Sequence, residues 1–84
     1  MPYDFRIRKG NKVIYIDAKA TVFEEEEDDY FPTLGETEID FIENLKFYER
    51  YYIARVNDTR GKPKITYFDA RTREIVTKYD IIKR

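Results

Sequence analysis

The chain has 84 residues, which is enough for one domain spanning residues 1–84. A chain of this size buries only about 60 to 65% of its unfolded-state surface, so we expect modest stability. Cysteine, histidine, serine and tryptophan are absent, which excludes disulfides, zinc-thiolate sites and catalysis by histidine or serine. The chain has 16 basic and 17 acidic residues, and this balance argues against a strongly basic nucleic-acid binder.

The N-terminal segment 3–21 predicts a β-hairpin, because apolar and polar residues alternate on both sides of Gly10-Asn11. A two-residue turn there sets a register in which Asp4 lies opposite Asp17. One side of this hairpin is entirely apolar and is therefore predicted to face the core: Tyr3, Phe5, Ile7, Ile14, Ile16 and Ala18.

Asp4 and Asp17 would repel each other in this register, because directly opposed residues have Cβ atoms about 5 Å apart. Lys19 projects from the same face as Asp17, two residues further along the strand. One hypothesis is a divalent cation between the carboxylates, with Lys19 assisting phosphodiester hydrolysis. Oxygen ligands would select Mg²⁺ or Mn²⁺. The alternative is a protein without chemistry in which Arg6 bridges the two acids.

An acidic run, Glu24–Asp29, follows the hairpin and indicates a solvated loop or a partner-binding segment. A helix is then predicted from Leu34 to Tyr48, with Thr33 and Glu36 as a capping box and an apolar stripe on the core face of the hairpin.

Two further strands are predicted at 51–56 and 64–69, and they form a second hairpin around a polar turn. Residues 74–79 are rich in β-branched side chains, which predicts a fifth strand. A short helix over residues 80–84 is the alternative for the C-terminal segment. The sequence thus predicts an α+β fold: a small mixed or antiparallel sheet, built from two hairpins and packed on one central helix.

The segments Pro2–Asp4 and Ile16–Thr21, separated by a hairpin, resemble the motif of the PD-(D/E)XK nuclease superfamily. More narrowly, they resemble the domain of unknown function at the C-terminus of NO VEIN-type proteins and in bacterial helicase- and restriction-associated proteins. Thr33–Glu36 is similar to the helix start of that family, and Tyr51–Val56 is similar to its tyrosine-rich strand. The resemblance covers roughly residues 2–68.

This resemblance implies a truncated restriction-endonuclease-like core in which Lys19, Asp17 and Asp4 are catalytic. Asp4 and Asp17 would be metal ligands, together with the Ala18 carbonyl. The second acid is Asp where Glu is commoner, and Pro2 replaces the usual Gly. The upstream helix of the family is missing, so the chain is either an excised piece or a domain that has lost its first elements and its activity.

The implied function is a divalent-metal-dependent nuclease-like module acting on DNA or RNA, whether active, truncated or inactive. The alternative is a non-catalytic domain that keeps the fold and binds protein or nucleic acid. Expected partners are nucleic acid, a parent helicase or ATPase, or another protein. The absence of a long apolar run or a signal-peptide pattern predicts a soluble cytoplasmic protein. Residues predicted to contact nucleic acid are Arg6, Arg8, Lys9 and Lys12.

Overall fold

The computed structural model describes residues 2–21, 31–59 and 61–83, so the acidic run 24–29 lies outside the described residues. The described residues form five strands and two helices in the order β1 (Phe5–Lys9), β2 (Lys12–Thr21), α1 (Glu36–Glu43), β3 (Glu49–Thr59), β4 (Lys62–Asp69), β5 (Ile75–Val76) and α2 (Lys78–Lys83).

The five strands form a single mixed sheet in the order β1-β2-β3-β4-β5. Strands β2 and β3 are parallel and are connected through α1, whereas the other neighbouring strands are antiparallel. This confirms the predicted α+β class and the mixed sheet. Neither described helix is long and apolar enough to cross a membrane.

The N-terminal hairpin has the predicted turn and register. Gly10 adopts a φ of 60°, which a residue without a Cβ reaches at little cost, and Lys9 pairs with Lys12. The ladder extends to Phe5, opposite Ile16. Asp4 therefore lies just outside β1.

The predicted core face of the hairpin is buried only in part. Phe5 and Ile7 are 58% and 46% exposed and only Ile14 is fully buried there, whereas Val13 and Tyr15, on the opposite face of the ribbon, belong to the main core. The parallel pairing of β2 with β3 explains the difference, because it aligns Tyr15 with Tyr51 and so extends the apolar surface of that face across the sheet.

The main core lies between this face and α1. The ring of Phe41 on the helix meets Tyr15 edge to face, with ring centroids 4.9 Å apart. A smaller cluster of Ile14, Tyr52 and Ile81 lies on the other face, under α2, so each face is covered by a helix. The buried residues of the main core are Val13, Tyr15, Ile42, Tyr51, Ile53, Phe68 and Ala70.

The first helix is shorter than predicted and is capped differently. It begins after Gly35 and ends at Glu43. The Glu38 carboxylate accepts a hydrogen bond from the Gly35 N–H at 2.9 Å, which satisfies a backbone donor that the helix leaves unpaired. The predicted box of Thr33 and Glu36 is therefore replaced by Gly35 and Glu38.

The C-terminal segment combines both predicted alternatives. A two-residue strand, β5, precedes α2. The helix is favoured by a reciprocal cap, since the Asp80 N–H donates to Thr77 Oγ1 and the Thr77 N–H donates to Asp80 Oδ2, each at 3.0 Å.

Candidate functional site: two carboxylates around a lysine

The candidate site lies where the carboxyl end of β2 meets the first turn of α1. Val13, Tyr15, Asp17 and Lys19 are every second residue of β2, so all four lie on the face that α1 covers. Glu38 lies in the first turn of α1. In open sheets, ligands characteristically bind beyond the carboxyl ends of parallel strands.

Asp17, Lys19 and Glu38 form a compact group, which we call the carboxylate–lysine cluster. The Lys19 ammonium lies 3.2 Å from Asp17 Oδ2 and 2.8 Å from Glu38 Oε2. The side chains of Asp17 and Glu38 are only 11% and 14% exposed, and that of Lys19 is 26% exposed. Charge-assisted hydrogen bonds of this length are strong, and burial reduces their screening by salt.

The two carboxyl groups of the cluster share a hydrogen bond, and their pKa values move apart. Burial, together with the hydrogen bond to Glu38, raises the pKa of Asp17 to about 6, although the Lys19 ammonium acts to lower it. Burial also acts to raise the pKa of Glu38, but hydrogen bonds from Asp17, Lys19 and the Gly35 N–H hold that pKa below its usual range. Below about pH 6 the shared proton therefore resides on Asp17 and the negative charge on Glu38, whereas at neutral pH both carboxyl groups are largely ionised.

Lys19 keeps its positive charge. Burial acts to lower its pKa, but hydrogen bonds and Coulomb attraction from Glu38 and Asp17 outweigh burial and raise the pKa above the ordinary lysine value. The ammonium group is therefore a donor at neutral pH and is not available as a general base.

Asp4 lies close to the cluster, but its carboxylate is engaged with the backbone. Its Oδ2 atom accepts a hydrogen bond from the Ala18 N–H at 2.9 Å. Within residues 2–21, 31–59 and 61–83, no group of three or more His, Cys, Asp or Glu side chains is arranged to hold a metal ion.

Tyr51 links Asp4 to the cluster. Its hydroxyl donates a hydrogen bond to the Pro2 carbonyl, so the buried ring tethers the segment that carries Asp4. Burial raises the pKa of the Tyr51 phenol, and the negative charges of Asp17, Glu38 and Asp4 raise it further. The three acids thus all act on one buried phenol.

Arg6 takes a different position from the one that the bridging alternative requires. It hydrogen-bonds the Tyr15 phenol, whose hydroxyl donates to Glu49 Oε2 at 2.8 Å. The positive charge that pairs with Asp17 comes from Lys19 instead.

The four basic residues predicted to bind nucleic acid do not form one surface. Arg6 and Arg8 pair with Tyr15 and Val13 and therefore lie on the α1 side of the sheet. Lys9 and Lys12 pair with each other and lie on the other side. At about 3.3 Å per residue, Lys12 is about 17 Å from Asp17 along β2. Arg6, which pairs with Tyr15, is closer to the cluster.

Sequence reasoning brought Asp17 and Lys19 together correctly, but it missed Glu38 and Tyr51. A signal for Glu38 was present, since a glutamate three residues after Gly35 fits the third position of a capped helix. Tyr51 carried no comparable signal, because its tether to Pro2 joins residues distant in sequence.

Comparison with protein-family models, curated proteins and solved structures found no match for this chain. The likeness to PD-(D/E)XK nucleases therefore stays a prediction that rests on sequence motifs. The structure adds the position of Glu38, which completes a cluster of two carboxylates and one ammonium.

Proposed function

We propose that this domain is a divalent-metal-dependent nuclease-like module that hydrolyses phosphodiester bonds, and that its sheet and α1 form a truncated restriction-endonuclease-like core. The supporting observation is the Lys19 ammonium held between Asp17 and Glu38 at the carboxyl end of β2. Phosphoryl transfer depends on positioned positive charge next to a carboxylate site, and the cluster supplies both.

The chemistry of the donor set fits a hard cation. The carboxylate oxygens of Asp17 and Glu38 both contact one positively charged group, the Lys19 ammonium. These two residues would hold Mg²⁺ or Mn²⁺, with Asp4 and the Ala18 carbonyl as the further ligands that the family resemblance implies. A cation bound there would polarise a phosphoryl oxygen and lower the pKa of a bound water.

The side chains themselves supply a hydrogen-bond donor and an ionised ligand. Lys19 stays charged and donates a hydrogen bond to a phosphate oxygen or to the attacking water. Asp17, with a pKa of about 6, is largely ionised at neutral pH and so offers a carboxylate to the cation. Arg6 and Arg8, on the same side of the sheet, contact the phosphates of the substrate strand.

A second candidate function is a cytoplasmic interaction domain without catalysis. One observation favours it, because the Lys19 ammonium already contacts both carboxyl groups of the cluster and the Asp4 carboxylate is engaged with the Ala18 N–H. Such a domain would bind nucleic acid or a parent helicase or ATPase through the basic hairpin.

The two candidates separate in a metal-binding experiment followed by a cleavage assay. Mn²⁺ added to ¹⁵N-labelled protein should broaden resonances around Asp17 and Glu38, and Asp17→Asn should abolish that response. The matched control is Glu43→Gln, which removes an exposed carboxylate from α1, the helix that carries Glu38. This variant should respond like wild type.

Cleavage of single-stranded and double-stranded DNA and RNA is then measured with Mg²⁺ and with EDTA. Lys19→Met should lower the Mg²⁺-dependent rate by about a hundredfold, the usual effect of removing one donor to the developing charge. Metal binding without cleavage of any of these substrates would favour the interaction domain. Broadening confined to residues 24–29 would contradict the metal site.

A further inference from the structure

Lys19 occupies the same carboxylate oxygens that a divalent cation would need. Its ammonium lies 2.8 Å from Glu38 Oε2 and 3.2 Å from Asp17 Oδ2. The other oxygen of Glu38 accepts the Gly35 N–H at 2.9 Å. Both oxygens of Glu38 are thus already engaged.

We propose that Lys19 is a built-in competitor for the divalent cation, so that a metal ion is held by Asp17 and Glu38 only when the Lys19 ammonium leaves them. This inference rests on the proposed function and concerns how the same site is loaded. The released ammonium then contacts the substrate phosphate, which couples metal binding to substrate binding.

Electrostatics supports an exchange over simultaneous binding. Mg²⁺ binds oxygen at about 2.0–2.1 Å, so an ion on these oxygens would lie within a few ångströms of the ammonium. Like charges at that separation repel strongly in a partly buried site, because little water screens them.

The Lys19 side chain can also reach solvent from its position in the cluster. It is the most exposed member of the carboxylate–lysine cluster, with 26% of its side chain accessible. A lysine ammonium is a compact charge on a flexible four-carbon stem, so it can leave while the backbone of β2 stays in place.

The coupling has a reciprocal consequence. A phosphate group that takes the Lys19 ammonium frees the oxygens of Asp17 and Glu38 and should strengthen metal binding. Because binding free energies are linked, the metal must strengthen phosphate binding by the same factor. Lys19 would thus keep the site closed to metal until a phosphate-bearing ligand is present.

The test compares Mn²⁺ affinity among variants, measured by water-proton relaxation and by calorimetry. Lys19→Met keeps the length of the side chain without its charge, and we expect its Mn²⁺ dissociation constant to fall about tenfold or more relative to wild type. Lys78→Met removes the same charge from an exposed position at the start of α2 and should change that constant by less than about twofold, since distant exposed charges are screened.

A second measurement uses the wild-type chain and does not depend on whether Lys19→Met folds well. The ¹⁵Nζ and ¹³Cε signals of Lys19 should shift toward values for a solvated lysine as Mg²⁺ is added, whereas those of Lys78 stay constant. Addition of a short phosphodiester such as a dinucleotide should lower the Mg²⁺ concentration at which the Lys19 signals shift.

The outcomes separate this inference from the proposed function. If Lys19→Met binds Mn²⁺ equally or more weakly than a wild-type protein whose binding requires Asp17, competition is refuted and the metal site stands. Lys19 signals that stay unchanged while Mg²⁺ binds would also refute competition. If neither protein binds Mn²⁺, both the inference and the metal-dependent function fail.

Discussion

Asp17 should make the protein less stable as the pH rises through the mildly acidic range, and Asp17→Asn should remove this effect. The cause is burial, which together with the hydrogen bond to Glu38 raises the pKa of Asp17 from its ordinary 3.8 to about 6. Between these two values the unfolded chain releases a proton that the folded protein still holds. The stabilisation is therefore complete below the lower pKa and is lost as the pH rises through the higher one.

The magnitude follows from the size of this shift. Each pKa unit corresponds to about 1.4 kcal/mol, so a shift of about two units corresponds to about 3 kcal/mol. A domain of this length has a free energy of unfolding of about 4 to 13 kcal/mol, so the effect is a large fraction of the total. Each kcal/mol should move the melting temperature by about 4 to 8 °C.

The assay is urea unfolding of wild type and Asp17→Asn, followed by circular dichroism between about pH 4 and pH 7. The difference in unfolding free energy, wild type minus variant, should fall by about 2 kcal/mol across this range, because the rest of the effect lies below pH 4. Taking the difference cancels the contributions of the titrating groups that do not contact Asp17, whereas those of Glu38 and Lys19 depend on Asp17 and need a separate control.

Glu38→Gln provides a control with the opposite sign. Because the pKa of Glu38 is lowered in the folded state, its stabilisation is present above its ordinary value of 4.5 and is lost as the pH falls. If the Asp17→Asn difference is independent of pH, or if the two variants show the same sign, the shared proton is not on Asp17 and the reasoning is refuted.

Three further substitutions test the core, the tether and the turn. Ile53→Ala, at a fully buried position, should lower the free energy of unfolding by about 2 to 5 kcal/mol in urea titrations. Phe5→Ala, at an exposed position, should lower it by less than about 1 kcal/mol, and equal losses would contradict the observed core. Tyr51→Phe should cost about 1 kcal/mol and lower the NMR order parameters around Pro2, because the hydrogen bond to its carbonyl is lost. Gly10→Ala, at a φ of 60°, should cost about 1 to 2 kcal/mol in thermal melts without changing the strand register seen by NMR.

The features predicted correctly are those set by neighbouring residues. The Gly10-Asn11 turn joins strands only a few residues apart, so its geometry alone dictates the β1–β2 register. Period-two alternation places Asp17 and Lys19 on the same side of β2 without any knowledge of the rest of the chain. Two of the three members of the carboxylate–lysine cluster were therefore present in the ten residues of β2.

The choice of buried face could not be made from the hairpin, because both of its sides carry apolar residues. The side with Phe5 and Ile7 has the more regular pattern, yet these two residues are exposed and that side holds only the smaller cluster, around Ile14. Burial depends on the total apolar surface that each face gathers from all strands, and the parallel pairing of Tyr15 with Tyr51 favours the other face.

Glu38 enters the site for a related reason. Its contact with Lys19 depends on where α1 begins and on how the helix crosses the sheet, which are set by the cap at Gly35 and by the packing of Phe41 and Ile42 on the core. Local periodicity determines which side chains share a strand face. Which distant carboxylate joins them is a property of long-range packing, whose energy is spread over many contacts and leaves no short motif.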